Sequence, residues 1–220
     1  MMSDQPVFHI TLVRHGESIG NAENRLQGHA DFALSPTGRE QARQLAVRWR
    51  SDAVRFDYAI TSPLSRARET AQILVDILGI PHLEVDPLWI ERNMGLRSGM
   101  TFDEIRARYP EPTFLNPYEP WSEQGESDWE LYLRAGKALH TLLQRPAGRY
   151  LVVSHGALLN KVLYSILGIT PQPFSQGIHF RLGNTAFSVF TYNPRTHQWR
   201  VEIIGDTHHL NQKNGHPILE

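Results

Sequence analysis

Residues 12–18 read LVRHGES and residues 151–156 read LVVSHG, so two apolar runs each stop at a histidine followed by glycine. Such runs suit buried strands, and the glycine permits a sharp turn after each. In an open parallel sheet, ligands bind at the carboxyl ends of the strands, so the two endings would bring His15 and His155 together. Arg14 precedes the first histidine, and TSPLSRARET places Arg66 in the first turn of a helix that leaves another strand. Two guanidinium forks, two imidazoles and helix N-terminal amides suit a compact anion with several equivalent oxygens, phosphate before carboxylate. Surrounding positive charge lowers an imidazole pKa, which leaves one of the two histidines as a free base able to attack phosphorus. Glu91, in LWIERNMG, follows an apolar run near the same sheet edge and is a candidate proton donor to a leaving oxygen.

The elements that must position these residues alternate. FHITLV (8–13) reads as a strand, and SPTGREQARQLAVRW, from Ser35, as a helix with a capping serine and a first-turn proline. DYAITS (57–62) is a second strand, followed by LSRARETAQILVDILG, a helix whose Ala67, Ala71, Leu74 and Leu78 share a face. A short strand at LEV and a short helix around TFDEIRARY come next, then a long helix over DWELYLRAGKALHTLLQ, the strand RYLVVS and the helix ALLNKVLYSIL. TAFSVFTY and QWRVEIIG flank the turn residues NPRTH and predict a hairpin at the sheet edge. The expected fold is α/β, a three-layer α/β/α sandwich with a mainly parallel sheet and a lid insertion.

The 220 residues are expected to form a single domain, residues 1–220, with a lid segment at about 94–128. Within it, PEPTFLNPYEPWSEQGESD (110–128) has four prolines and neither helical nor strand periodicity. Ordered loops of that length usually serve as lids or binding elements. Twenty-two basic and 23 acidic residues give a net charge of −1, which predicts no general attraction to nucleic acid or to an anionic membrane. Zero cysteines exclude disulfides, thiolate metal sites and cysteine nucleophiles. The N-terminus does not read as a secretory signal and no apolar run reaches membrane-spanning length, so a cytoplasmic location is expected. His197, His208, His209 and His216 cluster near the C-terminus without a metal-ligand spacing, and are read as solvated surface histidines.

Taken in order, RHGES, NAENRLQG, SPLSRARET, LWIERNMG, GES at 125–127 and VVSHG resemble the histidine phosphatase superfamily, which includes phosphoglycerate mutases. The resemblance spans most of the chain. It implies that His15 is the phosphorylated nucleophile, that Arg14, Arg66 and a protonated His155 bind the transferred phosphoryl, and that Glu91 is the general acid and then the base. It also implies phosphate or substrate contacts from Asn21, Gln27, Gly28, Gly156 and Ala157. The implied enzyme is a metal-independent phosphoric monoester hydrolase with no cofactor, acting on a small phosphorylated metabolite. Its expected partner is that small-molecule phosphomonoester, with no nucleic acid and no membrane; a homodimer stays open. Gly20 stands where many relatives have an aromatic residue, and Ser98 where an acid or amide is frequent.

Two other readings stand beside the phosphatase: a cofactor-dependent phosphoglycerate mutase, and a noncatalytic phospholigand-binding protein. A mutase must retain a small polyanion while it reorients, which calls for extra basic residues. The 110–128 segment instead carries Glu111, Glu119, Glu123, Glu126 and Asp128 and no lysine or arginine, and Phe102 stands where the mutases, by resemblance, place a substrate-binding lysine. These acids are expected to lie uncompensated over the site and to repel a second phosphate. Phe114, Tyr118 and Trp121 either line an apolar pocket for the organic part of the substrate or anchor the loop to the body.

Overall fold

The structure, a computed structural model, describes residues 7–110, 112–173 and 177–210. In chain order it comprises β1 (Phe8–Arg14), α1 (Ile19–Ala22), α2 (Pro36–Ser51), β2 (Tyr58–Thr61), α3 (Ser65–Leu78) and β3 (Leu83–Val85). A short 3-10 turn at Pro87–Trp89 and another at Gly95–Arg97 lead to α4 (Phe102–Arg108). Then follow α5 (Asp128–Leu143), β4 (Arg149–Ser154), α6 (Gly156–Leu167), β5 (Phe187–Asn193) and β6 (Gln198–Asp206). Among the described residues no helix is long and apolar enough to cross a membrane.

The six strands form one sheet in the order β3-β2-β4-β1-β5-β6. The first four are mutually parallel, and the β5–β6 hairpin adds antiparallel to β1, as the alternation of its residues predicts. Because successive strand residues point to opposite faces, Ile10, Leu12, Tyr150 and Val152 enter one core while Val13, Leu151 and Val153 enter another. The first core is closed by Leu131 and Ala135 of α5 and Leu158 and Val162 of α6; the second by Leu45 and Ala46 of α2 and Ala67, Ala71 and Leu74 of α3. This is the expected three-layer α/β/α sandwich.

That layering fixes where a site can form. β1 and β4 are neighbours, yet α2, which follows β1, and α6, which follows β4, cover opposite faces. The chain therefore parts between these strand ends and leaves a crevice. Register pairs Arg14 with Ser154, and the His15 amide donates to the Ser154 carbonyl at 2.9 Å, so His15 and His155 emerge side by side.

The chain after β1 also meets the start of α2 at backbone contact. Ser35 caps that helix by accepting from Gly38 N, as expected from the sequence. A Cβ at Gly38 would lie 2.0 Å from the Glu17 carbonyl oxygen, and one at Gly16 would lie 2.5 Å from the Gly38 oxygen. Gly38→Ala should therefore cost roughly 1–3 kcal/mol of stability, as overpacking does where backbone must move. Gly136→Ala, inside α5 with its nearest neighbour at 3.7 Å, should instead gain about 0.5–1 kcal/mol. Urea unfolding of the two variants checks the sign of each; equal effects would contradict the close approach.

Candidate active site

His15 is buried, and its Nδ1 lies 2.6 Å from the Gly16 carbonyl oxygen. A carbonyl only accepts, so Nδ1 carries the hydrogen and Nε2 keeps the lone pair. Burial first, then the charges of Arg14 and Arg66, push the His15 pKa well below its ordinary value of 6.5, against the pull of the Gly16 hydrogen bond. The His155 ring lies 5.1 Å away, centroid to centroid, with its Nε2 2.7 Å from the Ser62 hydroxyl. Burial, His15 and the Arg66, Arg14 and Arg134 guanidiniums hold its pKa well below 6.5 too. Against the expectation of a protonated His155, burial and the neighbouring charges favour the neutral imidazole.

The two arginines are held by carbonyl oxygens. Arg14 Nη1 donates to Leu182 O at 2.7 Å; Arg66 donates to Ala30 O at 3.0 Å and to Gly28 O at 2.9 Å. Burial opposes the charge of both, and Glu91 is the principal carboxylate that favours it. Among the described residues, Arg14 Nε, Arg66 Nε and His155 Nδ1 are buried with no hydrogen-bond partner. A native interior rarely leaves buried polar atoms unpaired, so two guanidinium N–H donors without partners beside the two imidazoles point to an anion-accepting site.

Glu91 follows the Pro87–Trp89 turn, and its carboxylate accepts three backbone amides: Arg92 N at 2.8 Å, Leu158 N at 3.1 Å and Ala157 N at 3.2 Å. The start of α6 does meet an anion, but that anion is the protein's own carboxylate. Ala157, expected to contact the ligand, is thus engaged by Glu91, while Gly156 lies against the Arg14 guanidinium. The structure brings His15, Arg14, Arg66, His155 and Glu91 together. Asn21 and Gln27 sit beside them: Ser18 donates its hydroxyl to Gln27 Oε1 at 2.7 Å, and Asn184 donates to both Asn21 Oδ1 and the His15 carbonyl.

The two departures from the family pattern have local partners. A Cβ at Gly20 would come within 2.8 Å of Gln27 Cγ and Cδ, so glycine there leaves room for the Gln27 side chain. Gly28 has φ +52°, and a Cβ on it would fall 2.9 Å from Ser98 Oγ, so Ser98 packs on the loop whose carbonyl holds Arg66.

The expected open acidic lid is corrected. Asp128 is buried between Arg92 and Lys161, with Lys161 Nζ at 3.0 Å, and Glu126 pairs with Arg134 at 2.7 Å. Glu119 accepts from Asn116, Glu123 is exposed, and Glu111 lies outside the described residues. Charges flanking the N-terminus of α5 are therefore compensated, since a buried unpaired carboxylate would be prohibitively costly. Trp121 lies under the Arg92 guanidinium at 5.1 Å and anchors the loop, while Tyr118, 64% exposed, packs at a tilt against Trp129. Neither supports an aromatic pocket for substrate. Phe114 and Phe102 are 57% and 47% exposed.

No group of histidines and acids among the described residues could hold a metal. His209, read from sequence as solvated, is buried, within 2.8 Å of Thr185 Oγ1 and shifted by burial to about 4; His216 lies outside the described residues. Sequence reasoning also missed Ser62, Thr70, Asn184, Thr185 and Arg134. Thr70 Oγ1 accepts the Gly16 amide and donates to Arg66 O, tying nucleophile loop to clamp. Thr185 holds φ +56°, strained for a β-branched residue, and its amide donates to Arg14 O at 3.0 Å. The GNT turn signal before β5 could have marked this corner; nothing local marks the others.

Residues 10–207 match the model of the Histidine phosphatase superfamily (branch 1). A Yersinia enterocolitica protein named "Probable phosphoglycerate mutase GpmB" is 34% identical over 220 residues, covering 93% of this chain and 95% of that one. The Bacillus stearothermophilus YhfR structure superimposes with a TM-score of 0.80 at 27% identity, over 92% of this chain and 98% of that one. An Entamoeba histolytica phosphoserine phosphatase in complex with 3-phosphoglyceric acid gives 0.75 at 26%, over 92% and 99%. With the ordered motifs converging on one crevice and most of its length matched, this chain belongs to the histidine phosphatase superfamily, branch 1.

Proposed function

We propose that the protein is a phosphomonoester hydrolase that works through a phosphohistidine on His15, with a small phosphorylated metabolite as substrate. The observation that carries the reading is the convergence of a neutral, Nδ1-anchored His15 with Arg14, Arg66, His155 and Glu91. His15 Nε2 attacks phosphorus in line, the P–O bond to the alcohol breaks, and Glu91, having taken up the proton that a phosphomonoester monoanion brings, gives it to the leaving oxygen. Water then attacks the phosphohistidine, Glu91 takes its proton, and phosphate leaves with His15 restored. Arg14 and Arg66 are preorganised to take the charge of the equatorial oxygens, so their role is electrostatic.

Hydrolysis is favoured over isomerisation by the fate of the nearby cations. Arg92 and Lys161 are committed to Asp128, and Arg134 to Glu126, so these groups are not spare to hold a second phosphate or carboxylate while an intermediate turns over. The acids of residues 110–128 thus oppose a mutase by occupying cations. The phosphoserine phosphatase neighbour supports the same reading. A mutase is the second reading, favoured by the name of the Yersinia relative. Its location in the cytoplasm and its action as one domain with a lid at 94–128 belong to this proposal.

Phosphate release from phenyl phosphate should outpace interconversion of 2- and 3-phosphoglycerate assayed with 2,3-bisphosphoglycerate present; faster isomerisation would establish the mutase. The pH dependence follows from the buried imidazoles. A pKa depressed in the folded protein leaves His15 neutral below 6.5, so kcat/KM should show no acid limb centred near 6.5 from its protonation. Any such limb belongs at lower pH. A limb that moves with the substrate's own second phosphate pKa, about 6, belongs to the substrate, whereas one fixed at 6.5 across substrates of different phosphate pKa would contradict a neutral nucleophile.

A further inference from the structure

The loop that carries Glu91 is held by a residue the reaction itself does not use. Arg134, on α5, donates through Nη1 to Leu88 O at 3.0 Å and Ile90 O at 2.6 Å, and through Nη2 to Glu91 O at 3.1 Å. Its Nε and Nη2 also form a two-pronged pair with Glu126, at 2.8 and 2.7 Å. A guanidinium has five N–H bonds, and all five are used here. Glu126 extends the grip: its amide donates to Asn93 O at 2.8 Å, and its Oε2 accepts from Asn93 N at 3.3 Å. The backbone from Leu88 to Asn93 is therefore gripped on both sides of Glu91 by one planar fork and its counter-ion. His29 Nε2, 2.8 Å from the Glu91 carbonyl oxygen, sits on the same group from the opposite loop.

A carboxylate on an irregular loop has no periodic hydrogen bonds to fix it. Glu91 nevertheless reaches the α6 amides with both oxygens, which requires its backbone to be placed within a few tenths of an ångström. From this we infer that Arg134, with Glu126, is a positioning residue for the general acid: it holds the Glu91 main chain so that the carboxyl group stays at the start of α6, facing the phosphoryl site. The inference rests on the proposed role of Glu91. Lysine could not replace the arginine, because three donors on one nitrogen cannot bridge three carbonyls and a carboxylate. The same link joins the end of the 110–128 segment to the acid, since Glu126 precedes Ser127, the N-cap of α5.

The test uses Arg134→Lys, Arg134→Gln, Glu126→Gln and Glu91→Gln, each checked for folding by thermal unfolding, on aryl and alkyl phosphates of graded leaving-group pKa. Loss of a positioned acid penalises poor leaving groups most, and a displacement of about 1 Å can cost about 10²-fold. Arg134→Gln and Arg134→Lys should lower kcat/KM by about that factor on alkyl phosphates and spare it on p-nitrophenyl phosphate, while kcat, which includes the second step where Glu91 is the base, falls on both. Glu126→Gln, which keeps the guanidinium, should show the same pattern more weakly. Adding Arg134→Gln to Glu91→Gln should then cost little more. Equal losses of kcat/KM across leaving groups in the Arg134 and Glu126 variants, or a full second loss in the double variant, would overturn the inference while leaving Glu91 as the acid. A flat leaving-group dependence in Glu91→Gln itself would remove the acid and the inference together.

Discussion

A half-buried guanidinium at the end of one parallel strand and a buried one at the start of a neighbouring helix set the terms for the rest of the structure. Arg14 and Arg66 are charged where burial disfavours charge, and each lowers the proton affinity of the imidazoles between them. Such a pair is tolerable only if its donors are aimed at acceptors and a carboxylate stands near. Leu182, Ala30 and Gly28 supply carbonyls, and Glu91 supplies the negative charge. Gly28 can turn its carbonyl toward Arg66 because its φ of +52° lies in the left-handed region. Burial, reinforced by that positive charge, holds the His15 and His155 pKa values well below 6.5, so the crevice that suits an anion also favours a neutral nucleophile.

Glu91 in turn has to be fixed without a regular element to carry it. The start of α6 supplies amides, and the start of α5 supplies the acids that hold the surrounding arginines. Ser127 makes this possible: as the N-cap of α5 within a capping box, it stations Glu126 and Asp128 on either side of itself, one toward Arg134 and the other toward Arg92 and Lys161. The positive end of α5 is thus neutralised by carboxylates with structural duties and that of α6 by the proposed general acid, which leaves the guanidiniums of β1 and α3 available to an incoming anion.

Much of this was legible in the sequence because strand ends and turns are local signals. The paired apolar runs ending in His15-Gly16 and His155-Gly156 announced adjacent parallel strands, and the TSPLSRARET segment announced Arg66 in a first helical turn. Charge bookkeeping was the part that failed. Glu126 and Asp128 read as uncompensated acids since their partners Arg134, Arg92 and Lys161 are distant in sequence, and Lys161 sits in an otherwise apolar helix. His209 read as a surface residue for the same reason: the Thr185 contact that buries it depends on the β5–β6 hairpin folding back. Gly38 carried no signal at all, because the need for a missing Cβ arises only when α2 meets Glu17.

The central claim is that the neutral His15 is the group that receives the phosphoryl. Rapid alkali quench of the enzyme with p-nitrophenyl [32P]phosphate, followed by peptide mapping without acid, tests it most directly. The account predicts acid-labile, alkali-stable label on the peptide containing His15, formed at least as fast as steady-state turnover and absent from His15→Ala. Label on another residue, label that persists in His15→Ala, or full phosphatase turnover by that variant would contradict it.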